Sequence, residues 1–164
     1  MSAEPRWCSQ VSIAACRAVD PGSNPGLGAT LHQASIRLLH SLHDARMGRM
    51  KLRASHGGVL IEAHGRVMSL DSKRPQGECF VSHAHLDHLP GRSCKCICIP
   101  ETAALARLRG ITLARENSPW VKLIDAGHVL GSRAALIDDF LLFTGDICLR
   151  SRGFMEGFKP VRAQ

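Results

Sequence analysis

The sequence contains no run of apolar residues that approaches the roughly 20 needed for a transmembrane helix, which excludes such a helix. It also has no continuous apolar segment behind a basic N-terminal stretch, as a secretory signal requires. We therefore expect a cytoplasmic protein with no membrane association. At 164 residues the chain is long enough for one domain and one core, and its apolar fraction of 45% argues against wholesale disorder.

The seven cysteines do not form an even set, and without a secretory signal they indicate reduced thiols rather than a disulfide framework. Cys94, Cys96 and Cys98 alternate with other residues, a spacing that places all three on one face of a strand. Cysteine pairs in zinc sites usually lie on turns, about two to four residues apart. We therefore interpret these three as buried strand cysteines, with metal ligation as the alternative.

Charge of one sign is in excess, because the formal net charge is +7. Such a balance favours an anionic partner or substrate. Two of the acids, Asp87 and Asp146, are assigned to metal below, so the remaining surface is more basic still. Net charge supports a nucleic-acid ligand but does not identify one.

Residues 1–49 and 50–164 differ in character, and we place a boundary between them. The first segment has no sustained strand alternation and contains a run of turn formers over 20–28. Its one predicted element is a helix over 30–45. We interpret the segment as an N-terminal extension that is either disordered or spurious.

The spurious interpretation comes from Gly22-Ser23-Asn24-Pro25, which resembles the translation of the T-arm of a tRNA gene. On that hypothesis the true start is Met47 or Met50. An intact mass of the native protein that includes residues 1–46 would exclude it.

From Met50 onward, period-two alternation and turn residues predict a β-rich α/β layer. Hairpins are predicted around His64-Gly65 and around Asp138-Asp139. The other predicted elements are strands over 78–82, 95–99 and 121–125, and a helix over 101–109 that Gly110 ends.

The decisive pattern is His-x-His-x-Asp-His, from His83 to His88, directly after a predicted strand. Alternation directs His83 and His85 to the same side while the strand continues. We expect a helix from Leu86 that turns Asp87 and His88 toward a second point nearby. Imidazole nitrogen and carboxylate oxygen suit zinc, and two neighbouring ligand pairs suit two ions. The alternative is a histidine-rich surface loop.

Three segments together resemble the metallo-β-lactamase superfamily. Residues 81–91 resemble its signature loop, 125–132 its Gly-His-x-x-Gly-Ser segment, and 142–146 the segment whose aspartate bridges two metal ions. They occur in the family's order, each at a strand end. The resemblance implies an αββα-type α/β fold, of which residues 50–164 would form the N-terminal half.

Within that superfamily, the surroundings of these segments are most similar to the β-CASP nucleases. This branch includes RNA 3′-end-processing endonucleases and archaeal RNA exonucleases. The clues are Ala-Gly-His-Val-Leu-Gly-Ser over 126–132, Phe-Thr-Gly-Asp-Ile over 143–147, Arg-Ser-Arg-Gly-Phe over 150–154, and the segment 157–163. The resemblance covers residues 57–163.

The resemblance also implies a set of roles. One zinc ion would be held by His83, His85 and His128, a second by Asp87 and His88, and Asp146 would lie between the two.

Asp87 would in addition orient or deprotonate the attacking water, which makes it the catalytic residue. Asp71 matches an acid that orients a ligand from behind, with an ordinary turn aspartate as the alternative. Ser132 and Gly131 would shape the loop under His128.

The function that the resemblance implies is zinc-dependent hydrolysis of RNA phosphodiester bonds by water that the metal activates. The alternatives are a DNA exonuclease of the same branch, a small-molecule thioesterase or lactonase, and an inactive fragment. In the family a large second domain and further histidines follow this part of the chain, whereas this chain ends at Gln164. We therefore expect a missing C-terminal half or a partner subunit to supply the last zinc ligand and the acid for the leaving group.

Overall fold

The computed structural model of the protein describes residues 50–153 and 155–161. The predicted helix over 30–45 and the tRNA-like segment lie outside these residues. In the described part the protein is mixed α/β, mostly strands with one helix. Nothing in the described ranges is both helical and sufficiently long and apolar to cross a membrane.

The first sheet has four strands in the order β1–β2–β3–β4. They are β1 (Lys51–Ser55), β2 (Gly58–Ala63), β3 (Arg66–Leu70) and β4 (Glu78–Phe80). The first three strands are antiparallel neighbours, and β4 runs parallel to β3.

Two tight turns join the antiparallel strands, and each places two successive residues at positive φ. These are His56-Gly57 and His64-Gly65, as type I′ turns require. The predicted hairpin at His64-Gly65 is therefore confirmed. Strand β1 was not predicted, because its side chains are mostly exposed and it lacks a buried apolar face.

The next unit consists of two parallel strands joined by the helix. They are β5 (Cys94–Cys96), α1 (Pro100–Leu108) and β6 (Leu113–Arg115). A bridge between Phe80 and Ile97 links β5 to the edge of the first sheet.

Helix α1 begins one residue earlier than predicted, because Pro100 occupies its first turn, where a missing N–H costs nothing. The chain turns away at Gly110, which has φ of +78° and follows the last helical turn as expected. The predicted strand over 95–99 is shorter and shifted, since regular pairing ends at Cys96. Strand β6 was too short to predict.

The last sheet is an antiparallel meander of three strands. They are β7 (Val121–Asp125), β8 (Arg133–Ile137) and β9 (Leu141–Phe143). The turn Asp138-Asp139 has φ of +52° and +56°, so this predicted hairpin is also confirmed.

One apolar core joins the first and last sheets. Phe80 and Phe143 meet edge to face with ring centroids 6.1 Å apart, a favourable aromatic geometry. Buried side chains from both sheets surround them: Val59, Ile61, Ala63, Met68, Leu70, Ile97, Ala135, Ile137 and Leu141. Because the sheets pack face to face, the segments that follow β3, β4, β7 and β9 are brought close together.

Candidate metal centre

Four ligand-type side chains converge where these segments meet. His83 and His85 follow β4, His128 follows β7, and Asp146 follows β9. Each offers one nitrogen or oxygen atom, and the four atoms all lie within 4.8 Å of one another. His83 is completely buried and Asp146 is 6% exposed, so the protein holds these two rigidly.

The separations between these atoms match a small divalent ion. His83 Nε2 lies 2.9 Å from His85 Nδ1, which lies 3.4 Å from His128 Nε2. Asp146 Oδ2 lies 3.5 Å from His128 Nε2 and 3.9 Å from His83 Nε2. Ligands at about 2.0–2.1 Å around tetrahedral zinc would be about 3.3 Å from one another. The spacing of these four atoms is therefore compatible with a bound metal ion.

Burial keeps two histidines of this group, His83 and His128, in the form that binds metal. Burial, reinforced by the neighbouring His88, His85 and His128, lowers the pKa of His83 to about 2. Burial also lowers the pKa of His128, although Asp146 opposes the change. Both rings stay neutral near pH 7, and neutral imidazole is the species that ligates zinc.

A second group of ligand-type atoms lies on the other side of Asp146. His88 Nε2 is 3.7 Å from Asp146 Oδ1 and 3.6 Å from Asp87 Oδ2. Asp146 thus directs Oδ2 toward the first group and Oδ1 toward the second. This group is open to solvent at Asp87, whose side chain is 58% exposed.

Asp71, which directly follows β3, organises both groups from behind. Its carboxylate accepts hydrogen bonds from Ser82 N at 2.7 Å, Ser82 Oγ at 2.6 Å and His88 Nδ1 at 2.7 Å. Ser82 Oγ in turn lies 2.9 Å from His83 Nδ1. If each Nδ1 carries the proton, the Nε2 lone pairs of His83 and His88 face the ligand groups.

The hydrogen bond to Asp71 also affects the charge of His88. Burial alone would lower its pKa, but the Asp71 hydrogen bond and the charges of Asp71, Asp146 and Asp87 outweigh burial and raise it. His88 therefore takes up a proton more readily than His83.

A glycine allows the β9 segment to reach this network. Gly145 has φ of +54°, and a Cβ there would lie 2.7 Å from Ser82 Cβ and 2.8 Å from Ser82 Oγ. The backbone before Asp146 can approach Ser82 only because residue 145 has no side chain.

The loop that carries His128 is held by hydrogen bonds on two sides. Ser132 Oγ accepts from His128 N at 3.0 Å and from Val129 N at 3.2 Å. Thr102 Oγ1, at the start of α1, donates to Gly131 O at 2.6 Å. Arg152 Nη2 donates to His128 O at 2.8 Å, which places a guanidinium beside the centre.

The structure thus brings together all six predicted ligands and places Asp71 and Ser132 in contact with them or their loops. The helix expected from Leu86 is wrong. Residues 86–88 form a single turn, closed by His88 N and Leu89 N donating to His85 O. Pro90 disfavours helical backbone at the preceding residue and so ends the turn.

Three positions were missed or undervalued in the sequence. Ser82 connects Asp71 to His83 through hydrogen bonds. Thr102 and Arg152 each donate a hydrogen bond to a carbonyl of the His128 loop. Ser82 directly precedes the histidine pattern, so its place was visible while its partner was not. Arg152 lay in the segment 150–154 that carried the resemblance, but its contact with the His128 loop was not predicted. Thr102 gave no local signal, because it acts on a loop distant in the chain.

A cavity among the described residues lies elsewhere. It has a volume of about 440 Å³ and is lined by the two hairpin turns and the residues beside them: His64, Arg66, Pro119, Trp120, Lys122, Asp138 and Asp139. None of the six predicted ligands lines this cavity, so the candidate metal centre is separate from it.

No family model and no solved structure matches this chain. Among curated proteins, the chain is similar to one named a probable DNA ligase, from Opitutus terrae, with 37% identity over 97 residues. The match covers 49% of this chain and 9% of that protein, so the chain spans less than a tenth of the relative's length.

Proposed function

We propose that this chain carries the metal centre of a metallo-β-lactamase-type hydrolase of the β-CASP kind, which uses zinc to cleave phosphodiester bonds in RNA. The observation that carries the proposal is Asp146, whose two oxygens face two separate groups of ligand-type atoms. One group is His83, His85 and His128, and the other is His88 and Asp87. A bridging carboxylate between paired ions is typical of hydrolytic two-metal sites.

Zinc would supply a nucleophilic water near neutral pH and polarise a phosphoryl oxygen. The chain's own residues would do the rest. Asp87 Oδ2, exposed beside His88 Nε2, is placed to accept a proton from the attacking water. Asp71 would hold the rings of His83 and His88 in the tautomer that ligates, through Ser82 and directly.

The substrate class rests on charge and accessibility. A net charge of +7 favours a polyanion. Arg152 lies at the rim of the centre, where its guanidinium contacts the His128 carbonyl, and arginine suits phosphate recognition. The open side at Asp87 would admit a strand of single-stranded nucleic acid rather than enclose a small molecule.

A second candidate is a DNA nuclease with the same centre. The observation that favours it is the similarity to a protein named a probable DNA ligase, a name that refers to DNA phosphodiester chemistry. The ligand residues would act identically in both cases, because they would act on the phosphate group that RNA and DNA share.

We also propose that the second metal group is completed from outside the described residues. His88, Asp87 and Asp146 supply three donors to it, fewer than the four of a closed zinc site. A continuing chain or a partner subunit would supply the remaining ligand and the acid for the leaving group.

The test is cleavage of matched single-stranded RNA and DNA oligonucleotides by the zinc-loaded chain. Asp146→Asn and Asp87→Asn should each lower the rate by about 100-fold or more, since they remove the bridge and the proton acceptor. Asp139→Asn is the matched control, because Asp139 lies in an exposed hairpin turn and pairs with Lys122 at 2.6 Å. Equal rates in all three variants would defeat the proposal.

The same assay distinguishes the alternative functions. Faster cleavage of DNA than of RNA selects the second candidate. Zinc binding without cleavage of either strand leaves a metal-binding module, and turnover of a thioester instead would indicate a small-molecule hydrolase.

A further inference from the structure

Four cysteines that the metal centre does not use lie together on neighbouring strands. Cys79 is in β4, Cys94 and Cys96 are in β5, and Cys98 follows β5. The pairing of Phe80 with Ile97 sets Cys79 beside this row of alternating cysteines. Cys79, Cys96 and Cys98 are at most 4% exposed, whereas Cys94 is half-buried.

The thiols form two hydrogen-bonded pairs. Cys96 Sγ donates to Cys98 Sγ at 3.4 Å, and the thiol of Cys79 hydrogen bonds to Cys94. Cys94 therefore combines partial exposure with a partner thiol already in contact. The prediction of buried strand cysteines for Cys94, Cys96 and Cys98 is confirmed for Cys96. Cys98 is buried but follows the strand, and Cys94 is only partly buried.

These thiols are not arranged as a metal site. Within the described part of the chain, no three of these cysteines form a group that could hold a metal ion. Paired contacts without a common centre suit formation of a disulfide better than ligation of a cation.

We propose that Cys94 and Cys79 form a thiol-modification site, at which a small-molecule disulfide converts the pair into a disulfide between β4 and β5. Cys94 is the attacking thiol because it is the accessible member, and Cys79 resolves because it is the thiol in contact. The proposal is independent of the proposed nuclease activity.

The chemistry is ordinary thiol–disulfide exchange. The Cys94 thiolate attacks one sulfur of the small disulfide, forming a mixed disulfide and releasing one small thiol. Cys79 then attacks the Cys94 sulfur, its proton passes to solvent, and the second small thiol leaves. Two protein thiols are oxidised while one small disulfide is reduced to two thiols.

The electrostatics of Cys94 support its role as the attacking thiol. The hydrogen bond from Cys79, aided by the positive charge of Arg92, lowers the pKa of Cys94 to about 7 even though burial opposes the change. The same hydrogen bond raises the pKa of Cys79. Cys94 therefore has more thiolate near neutral pH than an ordinary cysteine, and the thiolate is the reactive species.

The position of the pair links it to the metal centre. The loop closed by a disulfide from Cys79 to Cys94 contains the whole segment from His83 to His88. Cross-linking its two ends restricts that segment in the unfolded and partly opened states. We expect the oxidised protein to release zinc to a chelator more slowly than the reduced protein.

Digestion with trypsin can identify which cysteines are linked, because its cleavage sites place the four cysteines in three peptides. Cys79 falls in the peptide 74–92, Cys94 in 93–95, and both Cys96 and Cys98 in 96–107. The full chain is incubated with glutathione disulfide, free thiols are blocked with iodoacetamide, and the digest is analysed by mass spectrometry. We expect peptide 74–92 to be linked to peptide 93–95.

Two variants identify the order of the steps. Cys79→Ser should stop at a glutathione adduct on Cys94, since the resolving thiol is absent. Cys94→Ser should leave Cys79 reduced and free of adduct. Cys148→Ser is the control, because Cys148 is a half-buried cysteine beyond β9 and outside this group of four. It should behave as wild type.

The pH dependence provides a further check, since the first step requires the Cys94 thiolate. Between pH 7 and pH 6 the rate at which Cys94 reacts in the wild-type chain should fall several-fold, because the hydrogen bond from Cys79 that lowers the pKa of Cys94 is present there. A disulfide within peptide 96–107 in place of the 74–92 to 93–95 link would overturn the proposal. So would complete alkylation of Cys94 after exposure to glutathione disulfide.

Discussion

Asp71→Asn is the substitution that examines the organisation of the metal centre most directly. Asparagine keeps the shape of the side chain and tolerates the φ of +49° at this position. It removes the negative charge and replaces one acceptor oxygen with an NH₂ group. The backbone should therefore stay in place while the hydrogen-bond network changes.

The consequences follow from two contacts. Asp71 Oδ2 accepts from Ser82 Oγ at 2.6 Å and from His88 Nδ1 at 2.7 Å. An NH₂ group in that position donates instead, so His88 Nδ1 must accept and the ring proton moves to Nε2. That proton then faces Asp87 and Asp146 and occupies the lone pair that zinc requires.

The magnitude comes from the hydrogen bonds that are lost. A hydrogen bond to a charged group is worth about 1.5–3 kcal/mol, and about 1.4 kcal/mol corresponds to tenfold in affinity. Zinc affinity should fall about 10- to 100-fold, the usual effect of removing a partner behind a metal ligand. The loss should be greater at the His88 group, which Asp71 contacts directly.

The assay is competition for zinc with a chromophoric chelator, with metal content measured in parallel. Asp139→Asn serves as the control, because it also converts an aspartate at positive φ but lies in a distant hairpin turn. Zinc affinity in Asp71→Asn equal to that of the control, with the fold intact, would refute this account of the network.

Three other predictions concern packing and protonation. Gly145→Ala should lower the free energy of unfolding by about 1–3 kcal/mol and weaken zinc binding, because its Cβ would lie 2.7 Å from a neighbouring side chain. Gly65→Ala is its control for urea unfolding: it shares the positive φ but has open space, and an equal loss in both would contradict the packing argument. Phe80→Ala should cost about 3–5 kcal/mol, because Phe80 is fully buried between the sheets; a loss below about 1 kcal/mol would mean that this core is not closed. On acidification, zinc should leave the His88 group first, since the pKa of His88 is raised and that of His83 is lowered to about 2; metal content measured against pH would show simultaneous loss if this order is wrong.

Local turn chemistry was the part of the fold that could be predicted well. The turns at His64-Gly65 and Asp138-Asp139 require two residues at positive φ, and residues of these types adopt that conformation at low cost. Strands β1 and β6 were missed, because an exposed strand and a three-residue strand have no apolar pattern of their own. Their pairing is decided by neighbours distant in the chain.

The sequence by itself determined which atoms are available to bind metal. The pattern from His83 to His88 sets imidazole and carboxylate groups at close spacing, and the backbone carries them to one place whatever the rest of the chain does. The turn that replaces the expected helix at Leu86 does not change this, because His83 and His88 are only five residues apart in the chain.

Only the tertiary structure decided that His128 and Asp146 join this cluster and that Asp71 lies behind it. These three residues follow different strands, and they meet because two sheets share the core around Phe80 and Phe143. The tautomers of the histidines could not be predicted from the sequence either, since the ring nitrogen that carries the proton is the one that donates to a partner in space, which for His88 is the carboxylate of Asp71.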